Sequence, residues 1–111
     1  MEKNLGKIKT AYFGLGGYQD MCIGIHLNFA FDGCGIGTSE CAWDPARMEC
    51  SSYSKWTEED RSKELDKIMR YVSQLLCDAK VDRVEKLVGI PVEITTENRT
   101  FKSFRVLTEV L

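Results

Sequence analysis

One histidine, five cysteines, a glycine run and an aromatic cluster are the residues whose types could support chemistry in this chain. His26 is the only side chain whose unperturbed proton equilibrium lies near neutrality. A general base, however, needs a group to orient it or a nucleophile to serve. No Ser, Cys or acid is placed beside His26 by sequence spacing, so a hydrogen-bonded surface or pocket histidine is expected. Cys34, Cys41 and Cys50 follow a C-x6-C-x8-C spacing. Structural zinc sites are built on paired C-x2-4-C knuckles, so even with His26 as a fourth ligand the spacing does not predict a metal. Gly33-Cys34-Gly35-Ile36-Gly37 has neither the strand-to-helix GxGxxG of a dinucleotide fold nor the closing Gly-Lys-Ser/Thr of a P-loop. These glycines are read as turn or bulge positions. Trp43, Arg47, Tyr53 and Trp56 gather in one stretch, and aromatics with arginine make interaction hot spots and nucleobase-stacking pockets. The same tryptophans could instead pin a loop to a helix. Asn98-Arg99-Thr100 fits a glycosylation sequon, which means nothing without export.

The elements that would carry these residues are legible from periodicity. Residues 7 to 14 read as a first strand, followed by a turn at Leu15 to Asp20. From Met21 to Phe31 the odd positions are all apolar, while the even ones, including His26 and Asn28, are small or polar. Alternate side chains of a strand point to opposite faces, so this is a half-buried antiparallel strand. Asp32-Gly33 breaks it, residues 34 to 38 form a short third strand, and residues 39 to 56 read as irregular. Thr57 caps a helix with three acids in its first turn. Leu65, Ile68, Met69, Val72, Leu75 and Leu76 form its apolar stripe, and Glu59/Lys63 and Asp66/Arg70 pair on its outer face. It ends near Asp78 to Lys80. A short helical turn closed by Gly89 follows, then a strand from Pro91 to Thr96, a turn at 97–100, and a last strand from Phe101 to Leu107. There Phe104 and Val106 share one face and Ser103 and Arg105 the other. The expected fold is α+β: a single antiparallel sheet, β-β-(β)-α-β-β, packed on one main amphipathic helix. Whether Arg105 shares the helix-free face with His26 depends on strand order.

The chain has 111 residues, 43% apolar and 29% charged, the size and balance of one globular domain spanning 1–111. Its net charge of −2 disfavours a long nucleic-acid partner, while leaving room for a small anion held by a few arginines. No apolar run follows the N-terminus, so neither a signal peptide nor a membrane span is expected. The protein is expected to stay in the cytosol where it is made. An odd number of irregularly spaced cysteines there argues against disulfides, and most are read as small buried hydrophobes.

Met69-Arg70-Tyr71-Val72 with Leu75-Leu76, Ala79-Lys80-Val81, Lys86 to Glu93, and Phe101 to Leu111 resemble a group of small phage and prophage proteins. In that group a glycine-rich strand pair is followed by a helix, a "V-x-x-L-x-G-x-P-V-E-V" segment and a closing "L-K-S-F-R-I-L-T-E-V-L". The resemblance covers residues 65 to 111 well and the strand at 21 to 37 loosely. The segment from 38 to 56 has no counterpart, and no functional residue is carried over. What the resemblance implies is a setting. By analogy of size and setting, small phage proteins without catalytic residues resemble nucleotide sponges, such as the Thoeris anti-defence proteins, or anti-CRISPR proteins that occupy a nuclease surface.

The expected function is therefore counter-defence by non-catalytic sequestration of a nucleotide-type immune signal. The expected ligand set is His26, Asn28, Trp43, Arg47, Tyr53, Trp56 and Arg105, with no catalytic residue, metal or cofactor, in a homo-oligomer. The alternatives are an inhibitor that binds a host protein such as a CRISPR effector, or a small structural or regulatory phage protein.

Overall fold

A computed structural model describes residues 1–16, 22–43 and 58–111 of the chain. Alternation writes the strands: β1 spans Glu2–Gly16, β2 Cys22–Phe31, β3 Cys34–Trp43, β4 Pro91–Glu97 and β5 Thr100–Val106. All pairings are antiparallel, and the sheet order is β3-β2-β1-β4-β5. The helix, α1, runs over Glu58–Ala79, and short 3-10 turns occupy Val84–Leu87 and Thr108–Val110. This is the expected α+β fold, one antiparallel sheet on one main helix.

Both described hairpin turns are two residues long. Asp32 and Gly33 have φ of 46° and 73°, and Asn98 and Arg99 have 51° and 65°. Left-handed backbone at both central residues is what a type I′ turn requires, because its twist matches that of the flanking strands. The third strand is longer than expected. It runs ten residues, to Trp43, so residues 39–43 belong to the ladder rather than to an irregular segment. Arg47, Cys50, Tyr53, Trp56 and the capping Thr57 lie outside the described residues.

β1 is the hinge of the sheet. Its first half pairs with β4, from Glu2↔Thr96 to Lys7↔Pro91, and its second half pairs with β2, from Lys7↔Ala30 to Gly16↔Cys22. Between Ile8 and Thr10 the register shifts by one residue, leaving Lys9 as a bulge. A bulge bends its strand and steepens the local twist. The sheet accordingly curls until Phe29 on β2 meets the β5 rings of Phe101 and Phe104, at centroid distances of 5.9 and 4.7 Å.

Inside the curl lie Ile8, Ile25, Leu27, Phe29, Val92 and Ile94, packed with Ile68, Val72, Leu75 and Ala79 of α1 and with Leu87. The helical stripe is narrower than the periodicity predicts, since Met69 is 60% exposed. A step of one residue turns the helix by about 100°, which carries Met69 past the rim of the contact with the sheet. The outer side of α1 holds the two expected ion pairs, Lys63–Glu59 at 3.6 Å and Arg70–Asp66 at 2.9 Å. Both are exposed, so each contributes only roughly 0.3–0.5 kcal/mol. The cysteines depart from the buried reading. Cys22 is buried and Cys41 half-buried, but Cys34 and Cys77 are exposed. Among the described residues, no helix is long and apolar enough to cross a membrane.

Candidate functional site

The face of β2 turned away from α1 holds the candidate site. Residues opposite each other in an antiparallel ladder share a face, so register alone assembles three strands. His26 stands opposite Tyr12 on β1 and Ser39 on β3, and Asn28 stands opposite Thr10 and Gly37. Alternation puts His26 on the polar face of the strand, where a hydrogen-bonded surface or pocket position is expected, and it is 5% exposed. The cover comes from the sheet itself. The Tyr12 ring stacks on the imidazole at 4.8 Å between centroids and 27° between planes. That stack depends on Gly16, where any Cβ would meet the Tyr12 hydroxyl and would stand 2.8 Å from Nε2 of His26.

Both ring nitrogens of His26 are engaged. Nε2 lies 3.1 Å from the Gly14 carbonyl oxygen and Nδ1 lies 2.8 Å from Ser39 Oγ. A carbonyl only accepts, so Nε2 carries the proton and donates to Gly14. In the neutral ring Nδ1 is then the acceptor, and the Ser39 hydroxyl donates to it. The burial is therefore compensated: a polar group away from water is costly only when its hydrogen bonds are missing.

Asn28, one turn of the pleat along, is exposed and donates from Nδ2 to Thr10 Oγ1 at 2.9 Å. Its Oδ1 lies across Gly37, 2.6 Å from where a Cβ would be. Two shallow, open recesses meet at this residue. One, of about 390 Å³, is walled by Tyr12, His26, Asn28, Thr38 and Ser39. The other, of about 330 Å³, is walled by Lys9, Thr10, Asn28, Gly35 and Gly37. Each alone reaches the lower end of the size range of small-ligand pockets, roughly 300–1,000 Å³.

At the far end of the same face Cys41 packs over Gly24, whose missing Cβ would fall 2.6 Å from the Cys41 Cα. Burial is the main reason that its thiol is pushed up from 9.0 to about 11, helped by a hydrogen bond with Cys22, the negative charge Cys22 would carry, and Glu40. Cys41 is thus a protonated packing residue rather than a nucleophile. It stands seven residues from Cys34 on one strand, about 23 Å at ordinary strand rise. That separation prevents the two from sharing one metal ion.

Of the residues singled out from sequence, His26 and Asn28 come together as neighbours on one face. Trp43 closes β3 opposite Cys22, and Arg47, Tyr53 and Trp56 are outside the described residues. Arg105 stands apart. Register does put it on the same sheet face, through the row Leu5, Glu93, Arg105. But three strand spacings separate β2 from β5, about 14 Å, and the row crosses β1 seven residues from Tyr12. Its guanidinium is already committed, to Glu109 at 3.1 Å and Glu93 at 3.2 Å. Those hydrogen bonds, Glu109 first, raise its pKa further. Tyr12, Thr10 and Ser39 were not picked out by sequence spacing, because they are distant in the chain and adjacent only across the ladder. The turn did hold the signal for Ser39. A two-residue loop at Asp32-Gly33 fixes the β2–β3 pairing by counting outward from Phe31 and Cys34, which places Ser39 against His26.

Compared with protein-family models, curated proteins and solved structures, the chain has no significant match in any of the three.

Proposed function

We propose that the protein is a non-catalytic binding protein that sequesters a nucleotide-type signal on the outer face of β1, β2 and β3, in the setting of phage counter-defence. The observation that carries this reading is the Tyr12–His26 stack beside an exposed amide. Tyr12 is 46% exposed, so the ring that roofs His26 still offers an edge and face to a planar ligand. Aromatic stacking contributes roughly 1–3 kcal/mol per base and tolerates any base. Asn28 adds an amide able to hydrogen bond a base edge, and Gly35, with only the Phe29 carbonyl near its missing Cβ, lets a ligand come close to bare backbone.

The same geometry speaks against general-base chemistry on the ligand. The proton-accepting nitrogen of His26 points into Ser39, and the imidazole lies beneath Tyr12. Ser39 and His26 do form a nucleophile–base pair oriented by a carbonyl, which gives the reading a sharp test. A serine-reactive fluorophosphonate is expected to leave Ser39 unlabelled. Labelling at Ser39 would replace sequestration with acyl transfer.

The main experiment is native mass spectrometry with a panel of cyclic oligonucleotides and cyclic ADP-ribose isomers. Gain of an intact ligand mass, lost in Tyr12→Ala, is expected. A protein that ignores every nucleotide would turn the proposal toward a host protein target. The exposed Leu5, at 70% and on the same outer face, is an apolar contact such a target would use.

A further inference from the structure

We infer that the bulge at Lys9 builds an anion subsite beside the Tyr12 ring, which takes a phosphate group of the ligand. The inference rests on the nucleotide reading for the ligand's identity, but its own support is independent of the aromatic stack. Ile8 pairs with Phe29 and Thr10 with Asn28, so Lys9 is the extra residue of β1. Bulges re-aim side chains, and Lys9 lines the second recess together with Thr10, Asn28, Gly35 and Gly37.

Three features of that recess fit an anion. First, no carboxylate lines it, in a chain whose acids outnumber its bases, 17 to 15. Second, its cation is uncommitted. Lys63, Arg70, Arg83, Lys86, Lys102 and Arg105 each stand within 4.0 Å of an acid, whereas among the described residues Lys9, like Lys3, Lys7 and Lys67, has no such partner. Third, the hydrogen bond between Asn28 and Thr10 leaves two donor protons unused. Thr10 Oγ1 accepts from Asn28 Nδ2, so the Thr10 hydroxyl proton and the second Asn28 amide proton remain for a ligand. An ammonium, a hydroxyl and an amide around glycine backbone form a donor set suited to phosphate oxygens. Asn28 and Gly37 line both recesses, so a ring stacked at Tyr12 and a phosphate at Lys9 would belong to one ligand.

The test is a titration of the whole chain, followed by amide NMR shifts, with pyrophosphate, adenosine monophosphate and adenosine in turn. Pyrophosphate and the monophosphate are expected to move Lys9, Thr10, Asn28 and Gly37. Lys9→Gln is expected to weaken the monophosphate about tenfold, the loss of roughly one charge-assisted hydrogen bond, and to leave adenosine unaffected. Pyrophosphate shifts that gather elsewhere, or none at millimolar concentration, would overturn the subsite, as would an unchanged monophosphate affinity in Lys9→Gln. The adenosine arm reads the aromatic platform separately. Phosphate binding at Lys9 without any adenosine shift at Tyr12 would sustain the subsite while removing the nucleotide reading.

Discussion

Phe29 and Asn28 are consecutive on β2, yet Phe29 is wholly buried between the helix and the β5 rings while Asn28 is exposed and tied to Thr10. The inner face is held by apolar area and close packing. The outer face is held by register, by two hydrogen bonds on a nearly inaccessible histidine, and by the absence of side chains at Gly16, Gly24 and Gly37. The lesson is that strand alternation separates a packing surface from an ordered polar one without a helix covering both. It also explains why β2 is buried on its even positions as well, at Cys22, Gly24 and His26.

That contrast can be broken most strongly from the inside. Phe29→Ala is expected to cost about 3–5 kcal/mol in urea unfolding, from lost transfer energy plus a cavity. Asn28→Ala should stay within about 0.5 kcal/mol of the parent while abolishing ligand uptake. If the two variants lost stability equally, the division between faces would fail. A Cβ on the outer face comes next. Gly24→Ala collides with the backbone of Glu40 and Cys41, and overpacking of this kind typically costs about 1–3 kcal/mol. Removing one polar contact is smaller. Ser39→Ala withdraws the donor to His26 Nδ1 and should cost about 1 kcal/mol in the same assay.

Much of the inner face was readable in the sequence, because the odd residues of β2 and the helical stripe repeat at fixed intervals. The outer site was half readable. Alternation put His26 and Asn28 on one face, but Tyr12, Thr10 and Ser39 join them only through pairing, and pairing depends on turns and on a bulge. Asp32-Gly33 encodes its turn plainly. No comparable signal marks the shift at Lys9, since an exposed lysine suits a strand and a bulge alike. Strand order, which separates Arg105 from His26, is set by which strands β1 recruits on each side and has no local signature. The apolar stripe likewise could not show where the curl of the sheet ends, and so Met69 was included.

Two smaller effects sharpen the picture at the margins. Arg99 holds a left-handed φ of 65° in the β4–β5 turn, where glycine carries no Cβ penalty. Arg99→Gly is expected to gain a few tenths to about 1 kcal/mol, read as a higher melting temperature. The last is an alkaline limb. Burial, with Glu40 nearby, pushes Tyr71 up from 10.0 to about 12, as burial pushes Cys41 up to about 11. Both groups are neutral in the fold where the unfolded chain has begun to ionise. Their contribution is therefore complete below pH 9 and is lost as pH rises toward 11 and 12. Thermal melts of Cys41→Ser and Tyr71→Phe should show a flatter decline over that window than the parent.

The divided partnership of β1 has a consequence for the order of assembly. As a ribosome makes the chain, the second half of β1 can pair as soon as β2 emerges, and β3 can follow through its tight turn. The first half has no ladder until β4 arrives, because Glu2 pairs with Thr96. Such distant pairing is slow to form, since the loop must close before the contact is rewarded. The outer face of β1, β2 and β3 is built from the halves joined over short loops, so its ladder needs neither β4 nor β5. The bend at Lys9 belongs to that early ladder, because its register shift lies between β1 and β2.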